Sequence, residues 1–451
     1  MTTAGHDFSI NFEWDVAPGV RAAEHRATWA RIEIKAGPDW VTLVEDRESG
    51  SSRRSIYCAL YPLAEWAAYN WWFLQADSRP AALLSQDPRE VNPASRQLPA
   101  PMREHHSIRA SGDGFAWPDL LIVPDGEGTR LVWEADGPEA SSLPIRFLTR
   151  GDIWVNSLVI RRELTSVITS VLTRLAEHGI VDTVLHNEWN AIQGTSKDEA
   201  EYCLAAARLG LDPYGAAEEF ESAIMRAATE LSAPLLHDFL DAVNPTEIAS
   251  ALDWIAVARR AIRRGESDHI APGEGERIRL LQDVAIDDSG LTSLREWDIG
   301  YDQARAVRAQ VVADDTAPFD VSRYVTKITR PGADRNLQAL GESPGAGNTR
   351  VVIGTYRTAS STRFILSRAL WHSIWDRSRP LFAVTSAHTS RQRVERAFAA
   401  ELLAPSAGIA ALLDAPAGAA SSDDVERIAR HYGVSSMVVD HQIRNRLMPA
   451  A

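Results

Sequence analysis

The hydrophobic period of this chain changes near residue 153, and that change restricts the possible folds more than any other feature. Before it, β-prone runs are joined by glycine-containing turns. The segments "RIEIKAGPDWVTLVED" and "LLIVPDGEGTRLVWEA" each predict a hairpin. Beyond it, apolar residues recur at spacings of three and four. "VIRRELTSVITSVLTRLAEHG" stops at Gly179, and "SKDEAEYCLAAARLG" starts behind Ser196 and stops at Gly210. "NPTEIASALDWIAVARRAIRRG" opens on Asn244 and Pro245 and ends with basic residues before Gly265, which are helix start and stop signals. The pattern predicts an α+β multidomain chain. Its expected parts are a β-rich domain over 1–152, an antiparallel helical bundle over 153–265, a polar glycine-rich linker over 266–292 and a further unit over 293–451.

Composition narrows the class. Of 451 residues, 45% are hydrophobic and 24% charged, enough apolar material for several cores. A net charge of −14 argues against a broad phosphate-binding surface. The two cysteines, Cys58 and Cys203, are far apart, which excludes a disulfide framework and fits a reducing cytoplasm. No N-terminal run combines basic residues with an apolar core, so no signal peptide is expected. The aromatic window "LYPLAEWAAYNWWFL" is too short to span a bilayer and carries Glu65 and Asn70, so it reads as a buried helix or strand pair and no membrane contact is expected.

Several motifs have residue types that could carry chemistry. The Pro- and Arg-rich stretch 79–104 reads as an extended loop. His105 and His106 follow it; adjacent residues of a strand point to opposite faces and chelate poorly. His186 and Glu188 sit among Asn187 and Asn190 and read as loop capping. Cys203 reads as a small core residue. "GESPGAGNTR" lacks the lysine of a phosphate-binding loop, and no nucleophile elbow is present.

The last third is more specific. It runs through a helix with "GYDQARAVR", a strand "VVIGTY", a helix "RFILSRALWH", then "RAFAAELLAP" and "IARHYGVSSMVVDHQIRNRL". This order resembles the ImmA/IrrE family of metallo-endopeptidases over about residues 293–448. The resemblance implies a zincin-like fold, a helix plus a small sheet. It also implies a site built on a His-Glu-x-x-His helix, with a third, acidic ligand four or six residues before the Phe of Phe-Ala-Ala-Glu-Leu-Leu-x-Pro.

Carried over by position, Arg368 stands at the first zinc-binding His and Ala369 at the catalytic Glu, while His372 matches the second His. The third-ligand positions hold Val394 and Gln392, and Glu395 lies one step out of phase, about 100° around a helix. A catalytic zinc takes three protein ligands and leaves one position for water, so a single imidazole does not hold the ion. Without a carboxylate at position 369 there is no base for metal-bound water. The apolar positions persist: Leu366, Leu370 and Ile374 fall at spacing four, with Phe364, Trp371 and Trp375 beside them.

The expectation is therefore a cytoplasmic regulatory protein with a degenerate, peptidase-like C-terminal domain that binds a protein partner, carries no catalytic residues and takes no cofactor or zinc. By resemblance, its setting is stress response, mobile-element control or phage defence. The alternative is an active zinc peptidase using His372 with Glu395 or His388. The third reading is nucleic-acid binding by the C-terminal helix, turn and helix, where His441, Gln442, Arg444, Asn445 and Arg446 are the candidate contacts. The acidic chain disfavours it.

Overall fold

Of the two hairpins expected from the sequence, the second forms in full and the first only at its tip. There Lys35 and Ala36 pair with Trp40 and Asp39, while Val44–Asp46 joins a separate sheet with Ile145–Phe147. The computed structural model describes residues 7–17, 19–84, 98–126, 128–137, 143–215, 217–272, 296–332, 335–343, 349–354, 358–376, 379–414 and 416–448. Gly37 and Gly126 turn them with φ of 57° and 69°, the left-handed region that glycine enters without a side-chain clash. Strands β1 (Phe8–Trp14) and β2 (Trp29–Ala36) pair antiparallel with Ile10 opposite Ile34, and β3 (Ile56–Ala59) pairs with the other edge of β2. On β2, burial alternates residue by residue, as a half-covered sheet requires. The aromatic window is helical, with α1 (Tyr61–Tyr69) buried along most of its length. The second hairpin, β4 (Asp119–Asp125) with β5 (Gly128–Glu134), extends to β6 (Gly151–Asn156) in the order β6-β5-β4.

Chain contacts define two compact units, Met1–Ala216 and Ala217–Ala451, so the sequence-based division after residue 152 is corrected. Strand β6 runs directly into helix α2 (Ser157–Glu177), where the Asn156 side chain caps the Leu158 amide. The stripe Ile160, Leu164, Val167, Ile168, Val171 and Leu175 belongs to the same core as Ile10, Ile32 and Leu63. The Glu163 carboxylate accepts from the Ile10 amide at 3.2 Å, fastening the helix to β1. A helix with one apolar face buries it against the nearest sheet, and here that sheet is the N-terminal one. Helices α3 (Val184–Gly194) and α4 (Lys197–Arg208) complete this unit, with Ser196 capping the Glu199 amide. The predicted helical domain over 153–265 is thus divided. Its later helices, α5 (Glu221–Glu230), α6 (Ala233–Leu240) and α7 (Ile248–Arg263), belong to the second unit.

Within the second unit, α8 (Glu296–Val311) precedes β7 (Val325–Thr329), β8 (Leu337–Glu342) and β9 (Thr349–Ile353). Helix α9 (Ala359–Trp375) then leads to β10 (Leu381–Thr385) and α10 (Ser390–Leu403). The sheet order is β7-β9-β8-β10, with β7 parallel to β9 and the other pairs antiparallel. The expected linker over 266–292 lies mostly outside the described residues. Its first part is not a free connector, because Lys327 of β7 exchanges backbone hydrogen bonds with His269 at 3.1 and 3.3 Å. Helices α8 and α10 pack closely, since a Cβ on Gly300 would fall 2.3 Å from the Val394 carbonyl oxygen. The observed mixture of helices and small sheets is α+β. No described helix is long and apolar enough to cross a membrane.

Candidate functional site

Every residue of α9 from Ile365 to Ile374 is buried, because the helix is covered on all sides. Four polar residues stand inside this apolar environment: Ser367, Arg368, His372 and Ser373. Arg368 and His372 are one helical turn apart and share a face. Glu395 of α10 comes up against that face and is fully buried.

The Arg368 guanidinium is fully engaged. Nε donates to Glu395 Oε1 at 3.1 Å, and Nη2 donates to the same oxygen and to the Thr385 carbonyl at 2.8 Å. Nη1 donates to Gln338 Oε1 at 3.0 Å. The other Glu395 oxygen, Oε2, lies 2.5 Å from His372 Nε2. Burial alone would raise the Glu395 carboxyl, but the Arg368 charge and His372 overcome it and hold the group down at about 2. A carboxylate can only accept, so His372 Nε2 carries the proton in this pair. The Phe382 ring of β10 stacks on the imidazole at 4.2 Å between centroids, and Trp371 meets it edge-on, which fixes the ring plane.

A second tier extends the cluster. Asp376 Oδ2 is 3.4 Å from His372 Nδ1 and 3.6 Å from Arg391 Nη1. Arg391 Nη1 also lies 3.4 Å from His372 Nδ1, and its Nη2 donates to Asp238 Oδ1 of α6. Arg396 donates to the Thr385 and Ala387 carbonyls at 3.2 and 2.5 Å. Burial, then the neighbouring Arg368 charge, pushes Arg396 down to about 9. Burial, with Arg396, Arg393 and Arg368 nearby, pushes His388 down to about 4, so its imidazole is neutral at physiological pH.

These residues do not fit a zinc ion. The ring nitrogen of His372 that faces Glu395 is a donor, whereas a metal needs its lone pair. The carboxylate that faces this nitrogen, Glu395, accepts from Arg368, whose cation sits where a ligand is needed. Among the described residues, no three His, Cys, Asp or Glu side chains are grouped to hold a metal ion. Ala369 contributes only to the apolar core. Of the two positions where a third ligand was sought, Val394 is core and Gln392 donates to Thr385 Oγ1 at 2.7 Å. Glu395, one step away in sequence, is the residue that meets His372.

Other sequence candidates are placed as follows. The C-terminal segment forms a helix, Ser422–Tyr432, with a capping box from Ser421 and Asp424, a left-handed Gly433 and a second helix, Ser436–Gln442. Gln442, expected as an outward contact, is fully buried, and its amide donates to Glu401 Oε2 and the Ala404 carbonyl. Arg446 pairs with Asp298 at 2.8 Å and covers the Tyr301 ring. Arg444 pairs with Asp440 at 3.0 Å, and Asn445 bonds to His441 at 2.8 Å. His105 and His106 end a helix, Ala100–His106, where a strand was expected. Pro99 and Pro101 suit a helical first turn and are the local signal for this helix. His106 is buried between the Ile122 carbonyl and Asp77. His186 lies in the first turn of α3, bonded to its cap Thr183.

The sequence reading missed Asp376, Arg391 and Asp238. Asp376 follows His372 by four residues, and Arg391 precedes Glu395 by four, so helical spacing points to both. Asp238 has no such signal, being 153 residues from Arg391. No family model, no curated protein and no solved structure matches this chain.

Proposed function

We propose that the second unit is a degenerate peptidase-like domain of the ImmA/IrrE kind that holds a protein partner without cleaving it. The observation that carries this reading is the buried Arg368–Glu395–His372 triad. A guanidinium takes the position of a metal ligand and commits the nearest carboxylate, so the polar groups stabilise one another and none is available for metal-assisted hydrolysis. Arg368 and Ala369 together remove a ligand and the base, while the apolar surroundings of α9 keep the helix in place. The regulatory setting, in stress response, mobile-element control or phage defence inside the cytoplasm, rests on the sequence resemblance.

Elemental analysis of the full chain, purified without chelator, tests the reading. The expected result is no stoichiometric zinc and no cleavage of unstructured protein substrates. Stoichiometric zinc that disappears on His372→Ala would overturn it and favour the active-peptidase alternative.

A further inference from the structure

Helix α6 is one of several short elements of its unit. It is eight residues long, has no side-chain N-cap bond, and buries Leu235, Phe239 and Leu240. Helices this short do not persist alone in water, so α6 exists because it is docked. Its neighbours include the edge strand β10, whose Phe382 covers His372. On the docked face, between Leu235 and Phe239, lies Asp238. It is almost wholly buried; Oδ1 accepts from Arg391, while Oδ2 has no hydrogen-bond partner among the described residues.

A buried carboxylate with one unsatisfied oxygen adds little net stability to a contact, yet it fixes which residue sits opposite. Arg391 has a second commitment on its inner side, to Asp376 and the His372 ring. It therefore stays in place whether or not α6 is docked. With α6 removed, the unit would present the guanidinium of Arg391 at the edge of β10, flanked by the apolar surface that Leu235 and Phe239 now cover.

We infer that the face covered by Ala233–Leu240 is the unit's partner-binding surface, and that the helix is its intramolecular stand-in. The partner is an acidic amphipathic helix carrying a carboxylate for Arg391, with apolar side chains three residues before and one residue after it. This inference rests on the reading of the unit as a partner-binding domain. Helix-in-groove recognition reads such spaced anchors, and the chain's own segment shows which chemistry the groove accepts.

Native-state hydrogen exchange on the unmodified full chain is the first test. Amides of Ala233–Leu240 and Leu381–Thr385 should exchange at least about tenfold faster than those of Ser390–Leu403, the step that about 1.4 kcal/mol of local opening makes. Equal protection of all three segments would overturn the inference, since the surface would then never open on its own.

The second test uses a fluorescein-labelled peptide of residues 231–243 and the full-length Phe239→Ala variant, whose own helix has lost an anchor. The variant should bind the peptide at least about tenfold tighter than the parent chain does, and Arg391→Gln added to it should remove that gain. Binding that ignores position 391, or no gain in a Phe239→Ala chain whose circular dichroism is unchanged, would overturn the inference. Neither readout involves zinc or hydrolysis, so a failure here is distinct from a failure of the non-catalytic reading.

Discussion

His372 Nε2 and Glu395 Oε2 lie 2.5 Å apart, and neither side chain reaches solvent. The contact joins two helices whose apolar residues would pack without it, and Arg368 binds the opposite carboxylate oxygen. Burying three ionisable groups carries a desolvation cost that the pairings must offset, so the cluster is sensitive to loss of a single member.

Glu395→Gln leaves the Arg368 guanidinium buried without its countercharge. The expected loss is about 3–5 kcal/mol of stability in the second unit, read from denaturant unfolding. The triple replacement Arg368→Met, His372→Phe and Glu395→Leu should lose far less or even gain, because no unpaired charge remains. A triple variant as unstable as the single one would mean that the cluster is a net source of stability.

Acid should weaken the unit in two stages. His388 is held at about 4, below its ordinary 6.5, so its contribution is complete above pH 6.5 and is lost as pH falls toward 4. Glu395 is held at about 2, below its ordinary 4.5, so its contribution is complete above pH 4.5 and is lost as pH falls toward 2. The second stage amounts to about 3 kcal/mol by linkage. Unfolding measured from pH 7 to about pH 2 should lose its upper step in His388→Gln and its lower step in Glu395→Gln.

Asp238 behaves oppositely. Burial raises its carboxyl despite Arg391, so ionising it costs stability above the ordinary carboxylate range. Asp238→Asn keeps an oxygen for Arg391 and removes the buried charge. Its unfolding free energy at pH 7 should stay within about 1 kcal/mol of the parent or rise. A loss as large as that of Glu395→Gln would show that the Asp238–Arg391 pair is a strong contact.

Arg368→His tests how near the site remains to metal binding. The introduced imidazole would join His372 and release Glu395 from the guanidinium, giving three ligands, two imidazoles and a carboxylate, around one point. The variant should take up about one zinc per chain by elemental analysis, and zinc should raise its melting temperature. With Ala369 unchanged, no hydrolysis should accompany the zinc. Absence of zinc uptake in a folded variant would place the two helices too far from ligand geometry.

Helix signals carried most of what the sequence revealed. Ser196 and Asn244 cap where they were expected to, because a side-chain oxygen bonding to an amide two or three residues on is a local interaction. The turns at Gly37 and Gly126 are local in the same way, whereas Val44–Asp46 pairs with the distant Ile145–Phe147. The unit boundary was not legible, because periodicity shows that α2 has an apolar face but not which sheet covers it. In the site, Arg368 and His372 were found by carrying over the positions of the motif that the segment resembles, whereas Glu395 was discounted on helical phase. Helical phase decides ligand positions for a metal, but the Arg368 guanidinium reaches farther than a zinc–carboxylate bond and meets Glu395 out of phase.

The boundary has its own test. If helix α2 shares the core of the N-terminal strands, shortening Ile168 should loosen those strands as well as the helix. Ile168→Ala should cost about 2–5 kcal/mol, as buried Ile truncations do. Exchange of the amides of β1 and β2 should accelerate together with those of α2, while β8 and β9 keep their protection. If the strands held their protection while α2 alone loosened, a domain break near residue 152 would be the better description. Ile168 is fully buried in one cluster with Ile10 and Ile32, so strand and helix should open as one unit.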